Sequence, residues 1–356
     1  MPPKRIINSI QVLRGIAAFV VLIYHVSSYQ KMHYSQAIFG DIFRIGFAGV
    51  DLFFVISGFI IYYTANGLIG KPTQFLSYWS KRSIRVFPIY WLVILSIQLL
   101  QWFLSKQLHV VHFTVEYDMN FWNTLKTYTL FPNHIAIDPV TWTLSHELYF
   151  YTLFSLLILS QRLWFLPIIV FGLSVHNSFF HPYGEPSSGF SYYNFLFSNY
   201  NIEFLLGCLI CRYLEKIQLS VFMSLVVLLA ALCIIGVWGY DVGDYDNFKR
   251  ILVFGSSACL VLVSFLSLEN AGIIKAPQSL ILLGGASYVL YLIHFPTFLI
   301  MNKLPSVIGI KLDATYASIF NYMVILINVL LAILIHKKIE LPLTTKLSHY
   351  FKGSNK

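Results

Sequence analysis

Residues 9–29 read SIQVLRGIAAFVVLIYHVSSY, an apolar run long enough to cross hydrocarbon as a helix and interrupted by Arg14 and His25. Similar runs recur along the chain with short polar breaks, giving expected spans at 9–29, 47–66, 84–104, 143–160, 163–180, 195–213, 219–239, 250–268, 279–301 and 315–337. Composition agrees, since 57% of the residues are apolar and only 11% charged, too few to clothe a water-soluble globule. The expected fold is therefore all-α, a polytopic membrane protein of about ten transmembrane helices. No long soluble segment fits between the spans, and no internal repeat is detectable. The chain reads as one domain over 1–356, with a bundle over about 9–337 and a short tail at 338–356.

Ten crossings would bring both termini to one side. That side holds the larger share of the 24 lysines and arginines, including Lys81, Arg82, Arg85, Arg212 and Lys338, so both termini are expected in the cytoplasm. The net charge of +9 then reflects topology and contact with anionic lipid. There is no arginine-rich recognition element, and nucleic acid is not an expected partner. The first run lacks a small-residue cleavage site and reads as a retained helix. Cys208, Cys211, Cys233 and Cys259 all fall inside expected helices as packing thiols. The Cys208/Cys211 CxxC pair has no second pair or histidine cluster beside it, and no metal is expected. The segments 105–142 and 181–194 read as long outer loops, the second with His181, Tyr183, Glu185, Tyr192 and Tyr193. Their aromatic residues fit either a cavity cover or an interfacial belt.

Ionisable side chains inside a span are costly and point to a polar cavity or a paired site. Five positions qualify: Arg14 and His25 in the first span, Asp51, Glu147 and His294. Arg14 and His25 are eleven residues apart, roughly 20° past three full turns, so they share a helix face about 16 Å apart. Asp51, Glu147 and His294 are expected at the depth of His25. A histidine and a carboxylate at one depth supply what removing a proton from an alcohol requires: a base of suitable pKa and a partner that stabilises its charged form. The plainer readings remain open. Asp51 and Glu147 also suit the first turn of a helix, and His294, beside Pro296, also suits a core histidine bonded to carbonyls freed by the proline.

On the cytoplasmic side, Arg82 and Arg85 stand three apart and so neighbour one another on a helix, where two guanidinium forks can clamp a phosphate. An ordinary basic interface anchor is the alternative.

Six ordered motifs carry a resemblance. They are Leu13-Arg14-Gly15-Ile16-Ala17-Ala18 with Tyr24-His25, Gly49-Val50-Asp51-Leu52-Phe53-Phe54-Val55-Ile56-Ser57-Gly58-Phe59, and Arg82-Ser83-Ile84-Arg85 with Pro88 and Tyr90-Trp91. The others are Pro139-Val140-Thr141-Trp142-Thr143-Leu144 with Glu147-Leu148-Tyr149-Phe150-Tyr151, Ser287-Tyr288-Val289-Leu290-Tyr291-Leu292-Ile293-His294, and Ile339-Glu340-Leu341-Pro342. In these the chain resembles the acyltransferase-3 family of bacterial membrane O-acyltransferases, over nearly its whole length.

The resemblance implies transfer of an acyl group, usually acetyl, from cytoplasmic acyl-CoA to a hydroxyl of an extracytoplasmic or lipid-linked glycan, in the bacterial inner membrane. It implies His25, Glu147 and Asp51 as catalytic residues, Arg14, Arg82 and Arg85 as binders of the CoA donor, and His294 and Trp142 as substrate contacts. The opening residues look nearest to the exopolysaccharide acetyltransferase branch. Two departures stand out. His146 precedes Glu147 where an apolar residue is expected, and no hydrolase-like domain follows the helices, which suggests a stand-alone transferase. The rival class is a transporter or flippase for a lipid-linked sugar, in which the same charges would line a path.

Overall fold

The computed structural model describes residues 7–108, 120–132, 137–180, 191–214, 216–243 and 248–353. His109, His112, His181, Tyr183 and Glu185 lie outside them, as does much of the two expected outer loops. Every regular element among the described residues is helical. In chain order these are α1 (Asn8–Tyr34), α2 (Gly49–Ala65), α3 (Phe75–Leu108), α4 (Phe121–Thr129), α5 (Trp142–Leu159), α6 (Leu166–Phe180), α7 (Tyr192–Leu196) and α8 (Tyr200–Tyr213). They continue with α9 (Val221–Trp238), α10 (Phe248–Arg250), α11 (Ser256–Asn270), α12 (Gln278–Gly285), α13 (Ser287–Val307), α14 (Ala314–Ile335) and α15 (Leu341–Gly353).

Seven helical stretches among the described residues are long and apolar enough to cross a membrane. An eighth is counted if the pair α12 and α13, bent by 67°, forms one span. The chain is thus a multi-pass membrane protein with fewer qualifying spans than the ten expected. Two expected spans account for the difference. The one at 195–213 holds a break and the 14-residue α8, about 21 Å long against about 30 Å of hydrocarbon. The one at 143–160 corresponds to α5, which opens with Thr143, Ser145, His146 and Glu147 and loses apolar character there. Lipid is the evident solvent elsewhere: α9 leaves Phe222 75% and Leu229 62% exposed with no polar residue to replace them.

The chain divides into two compact units. The first comprises Met1–Ala17, Phe47–Trp79 and His146–Gly284. Its apolar core joins Ile10 and Leu13 of α1, Val55, Ile56 and Phe59 of α2, Ile210 of α8 and Leu262 and Leu266 of α11. Small residues let the backbones approach: a Cβ on Gly58 would lie 1.9 Å from the Phe204 carbonyl oxygen, and one on Gly207 1.9 Å from that of Val55. The start of α1 is held by Glu269, whose two carboxylate oxygens accept the Asn8 and Ser9 backbone N–H groups at 2.9 Å each. A single π turn, Ile251–Gly255, leads into α11.

The second unit comprises Ala18–Gly46, Ser80–Ser145 and Gly285–Lys356. Here α4 docks on α3 because Tyr90 donates to the Thr127 carbonyl at 2.5 Å and Trp91 to that of Tyr128 at 2.8 Å. The helices α1, α13 and α14 share a buried amide ladder. Asn302 Nδ2 donates to Asn321 Oδ1 at 2.9 Å, and Asn321 Nδ2 to Gln30 Oε1 at 2.9 Å. Such bonds satisfy polar groups that lipid cannot. After α14 the helix makes a second π turn, His336–Glu340, which brings His336 Nδ1 within 2.5 Å of Glu340 Oε2. Gly285 faces the other ring nitrogen, and a Cβ there would sit 2.9 Å from it.

Candidate functional site

The second unit gathers five of the eight residues singled out in the sequence: His25, Arg82, Arg85, Trp142 and His294. Its organising element is α13, an apolar helix whose buried face carries Tyr291 and His294. Tyr288 donates from its hydroxyl to the Val86 carbonyl at 2.7 Å, tying α13 to the residue that follows Arg85. Tyr291 donates to the Val140 carbonyl at 3.3 Å and accepts from Thr143 Oγ1 at 3.1 Å, which fixes the turn before α5. Asp138, fully buried, caps that turn by accepting the Val140 N–H at 3.4 Å. Burial pushes its carboxyl up to about 8, against the opposing pull of the Val140 N–H. Trp142, half-buried, follows directly at the head of α5.

His294 has no exposed surface, and its ring centroid lies 5.2 Å from that of His25, with the planes inclined by 37°. Its Nδ1 stands 2.7 Å from the Tyr291 carbonyl oxygen. A carbonyl only accepts, so Nδ1 carries the proton and Nε2 of the neutral ring is a lone-pair acceptor. That Nε2 is buried and has no hydrogen-bond partner among the described residues. The plainer of the two readings of His294, a bond to a carbonyl freed by Pro296, points to that of Leu292. The partner is instead Tyr291, one residue earlier. His25 is half-buried and also packs edge-on against Phe295 at 5.3 Å. Arg82 is buried and Arg85, one turn on along α3, is partly exposed.

Arg14, Asp51 and Glu147 belong to the first unit. Asp51 is fully buried and gripped by Arg250 through two parallel bonds, Nε to Oδ1 and Nη2 to Oδ2, each 2.8 Å. The guanidinium lies over Phe47 at 5.0 Å and Tyr200 at 5.4 Å. This is bidentate charge pairing in an aromatic box, the arrangement that makes a buried carboxylate tolerable. Arg250, at the head of the expected span 250–268, is not among the residues that the sequence singles out. The available signal was a lone arginine directly ahead of the apolar run Ile251–Phe254, in a chain holding one intramembrane aspartate in need of a cation. Glu147, half-buried, accepts from the Tyr151 hydroxyl one turn along α5. The unexpected His146 is fully buried and stacked on Phe195 at 4.1 Å, so it fills an aromatic pocket while the carboxylate points elsewhere on the helix.

A family model described as "Acyltransferase domain" matches residues 7–337. The "Exopolysaccharide production protein ExoZ" of Rhizobium meliloti is 29% identical over 318 residues, covering 85% of this chain and 91% of that one. The "O-acetyltransferase OatA" of Staphylococcus aureus is 26% identical over 347 residues, covering 85% of this chain but 52% of its own length, so the chain spans about half of that protein. No solved structure matches. With a match that runs through both units, and with the arginine and histidine motifs in place within it, the chain belongs to the acyltransferase-3 family and is an acyltransferase.

Proposed function

We propose that the chain is a single membrane-embedded domain, with both termini in the cytoplasm of a bacterial inner membrane, that transfers an acyl group, acetyl foremost, from acyl-CoA to a hydroxyl of an extracytoplasmic or lipid-linked glycan. The observation that carries the reading is the contact of half-buried His25 with fully buried His294, whose Nε2 has no hydrogen-bond partner among the described residues. Support for an O-acetyl transfer to polysaccharide comes from the names of the two relatives, one an O-acetyltransferase and the other an exopolysaccharide production protein.

In this reading Arg82 and Arg85 hold the CoA phosphates and Arg14 lines the path of the thioester arm. His25 is the base. As the sugar oxygen attacks the thioester carbonyl, its proton passes to His25, the C–S bond breaks, and the CoA thiolate leaves and is protonated. His294 Nε2, which accepts no hydrogen bond from the described residues, takes one from His25 as that ring gains the proton, and so stabilises its charged form. Glu147 keeps the catalytic role its motif implies, that of the carboxylate partner to the base. Asp51 holds Arg250 in place. Trp142 presents a ring face to the sugar.

The test is incubation of the purified full chain in nanodiscs with acetyl-CoA labelled in the acetyl group and a glycan-bearing membrane extract. Label should appear in glycan with an equal amount of free CoA. His25→Ala should retain acetyl-CoA binding and lose transfer, and Arg85→Ala should weaken binding. Equal transfer by wild type and His25→Ala removes His25 from the chemistry, and glycan movement without CoA release replaces the enzyme with a transporter.

A further inference from the structure

The first unit contains a concave site that the proposed reaction does not use. It is an apolar groove of about 670 Å³ bounded by α2, α5, α6 and α8, with Phe150, Leu157, Phe171, Phe204 and Leu209 among its walls. Arg212 stands at one end and Asn201 at the other, both on α8 and eleven residues apart. That separation is about 16 Å, close to half of a hydrocarbon core of about 30 Å. The Asn201 end is a polar floor, since Asn201 Nδ2 donates to Ser174 Oγ and to the Leu196 carbonyl at 2.9 Å each. The other end is cationic. Beside the groove, and joined to it through Gln161 and Trp164, lies a shallow shelf lined by Arg162. Lys216 lies within 5.8 Å of the ring of Tyr213, against which Arg212 also packs at 5.7 Å. Among the described residues no carboxylate lines the groove or the shelf.

We propose that this groove holds one anionic phospholipid, its acyl chain lying along α8 toward Asn201 and its phosphate held by Arg212 and Arg162. Three observations select this occupant. The walls are apolar over a length matching one leaflet, so a hydrocarbon chain fills them without stranding polar atoms. The floor stops the chain where the leaflet would end. The mouth offers guanidinium forks, and no carboxylate among the described residues lines it, which favours a head group carrying net negative charge over a zwitterionic one. The site is independent of the reaction proposed for His25.

The experiment uses the full chain in nanodiscs of equal phosphatidylglycerol and phosphatidylcholine, released into the gas phase for native mass spectrometry. Wild type should retain one phosphatidylglycerol in preference to phosphatidylcholine. The double substitution Arg212→Gln and Arg162→Gln should lower that retention roughly tenfold. Leu209→Trp, at an exposed wall position, should lower it as well by filling the groove while leaving both arginines. Thermal unfolding of each variant in lipid-free detergent reports whether the fold is intact. Equal retention of the two lipids by wild type overturns the proposal on its own. So does undiminished retention of phosphatidylglycerol by either variant.

Discussion

His294 differs from an ordinary packed histidine in that one nitrogen is committed to a carbonyl while the other, fully enclosed, has no donor to accept from among the described residues. Replacing it with glutamine keeps a hydrogen-bonding end of similar reach but removes a ring able to share a proton. His294→Gln is expected to lower kcat roughly hundredfold with KM for acetyl-CoA nearly unchanged. Steady-state kinetics check this, and a purely structural histidine would show itself as lost stability with normal turnover in the folded fraction. Asp138 offers a pH test. Its carboxyl rises from 3.8 to about 8 on folding, so between those values the folded chain holds a proton that the unfolded chain has released. Stability therefore falls as pH rises through that window and levels off above it. Asp138→Asn should flatten the dependence of Tm on pH there, and parallel curves for the two proteins would refute the assignment. Histidines 25 and 294 were legible as a pair of like depth because each is an ionisable residue in an apolar run. The partner of Asp51 was not, because Arg250 stands at the edge of its apolar run, where an arginine is also an ordinary interface residue.

Close approach of α2 and α8 depends on two glycines, and substitution there has a calculable direction. A methyl group on Gly207 meets a backbone oxygen that cannot rotate away, so Gly207→Ala must push the helices apart at a cost of about 1–3 kcal/mol or more. Gly172 and Gly236 also lie in helices, but nothing stands within 4 Å of their added Cβ. Their alanine variants should gain about 0.5–1 kcal/mol of helix stability instead. Thermal melts in detergent distinguish the two classes by sign. At this scale the sequence was most readable where apolar runs are long. The expected 9–29 lies inside α1 and the expected 315–337 overlaps α14 closely. It was least readable between 192 and 213, where the helix breaks at 197–199 around asparagines whose side chains bond nearby carbonyls: Asn177 Nδ2 reaches Phe197 and Asn201 Nδ2 reaches Leu196. Hydropathy averages over such a break. The start of α3 was also placed late, because Tyr78, Lys81 and Arg82 continue the helix with polar residues that a hydropathy window discounts.

For the whole molecule, the distribution of lysine and arginine predicts that a fluorescent reporter fused after Lys356 lights up in the cytoplasm, while a phosphatase fused there stays inactive. The opposite result would invert every side assignment, including the one that puts Arg82 and Arg85 within reach of CoA. The family match crosses both units without a gap in its span, which explains why composition and motif order disclosed the class of protein while the division into units stayed hidden. The two π turns bear on how such a chain tolerates change in length. Each is a helix that has taken in one surplus residue, and each adjoins a buried charge contact: Arg250 just before Ile251–Gly255, and His336 with Glu340 inside the other. Deleting one residue from either would restore regular winding and leave everything downstream nearly in phase, because the five residues of a π turn sweep about the angle that four sweep in an α-helix. A single-codon loss at Leu252 or Ile339, inside these turns but outside the paired charges, should therefore be far less damaging than the same loss in the middle of α2 or α13, where everything downstream would swing by about 100°.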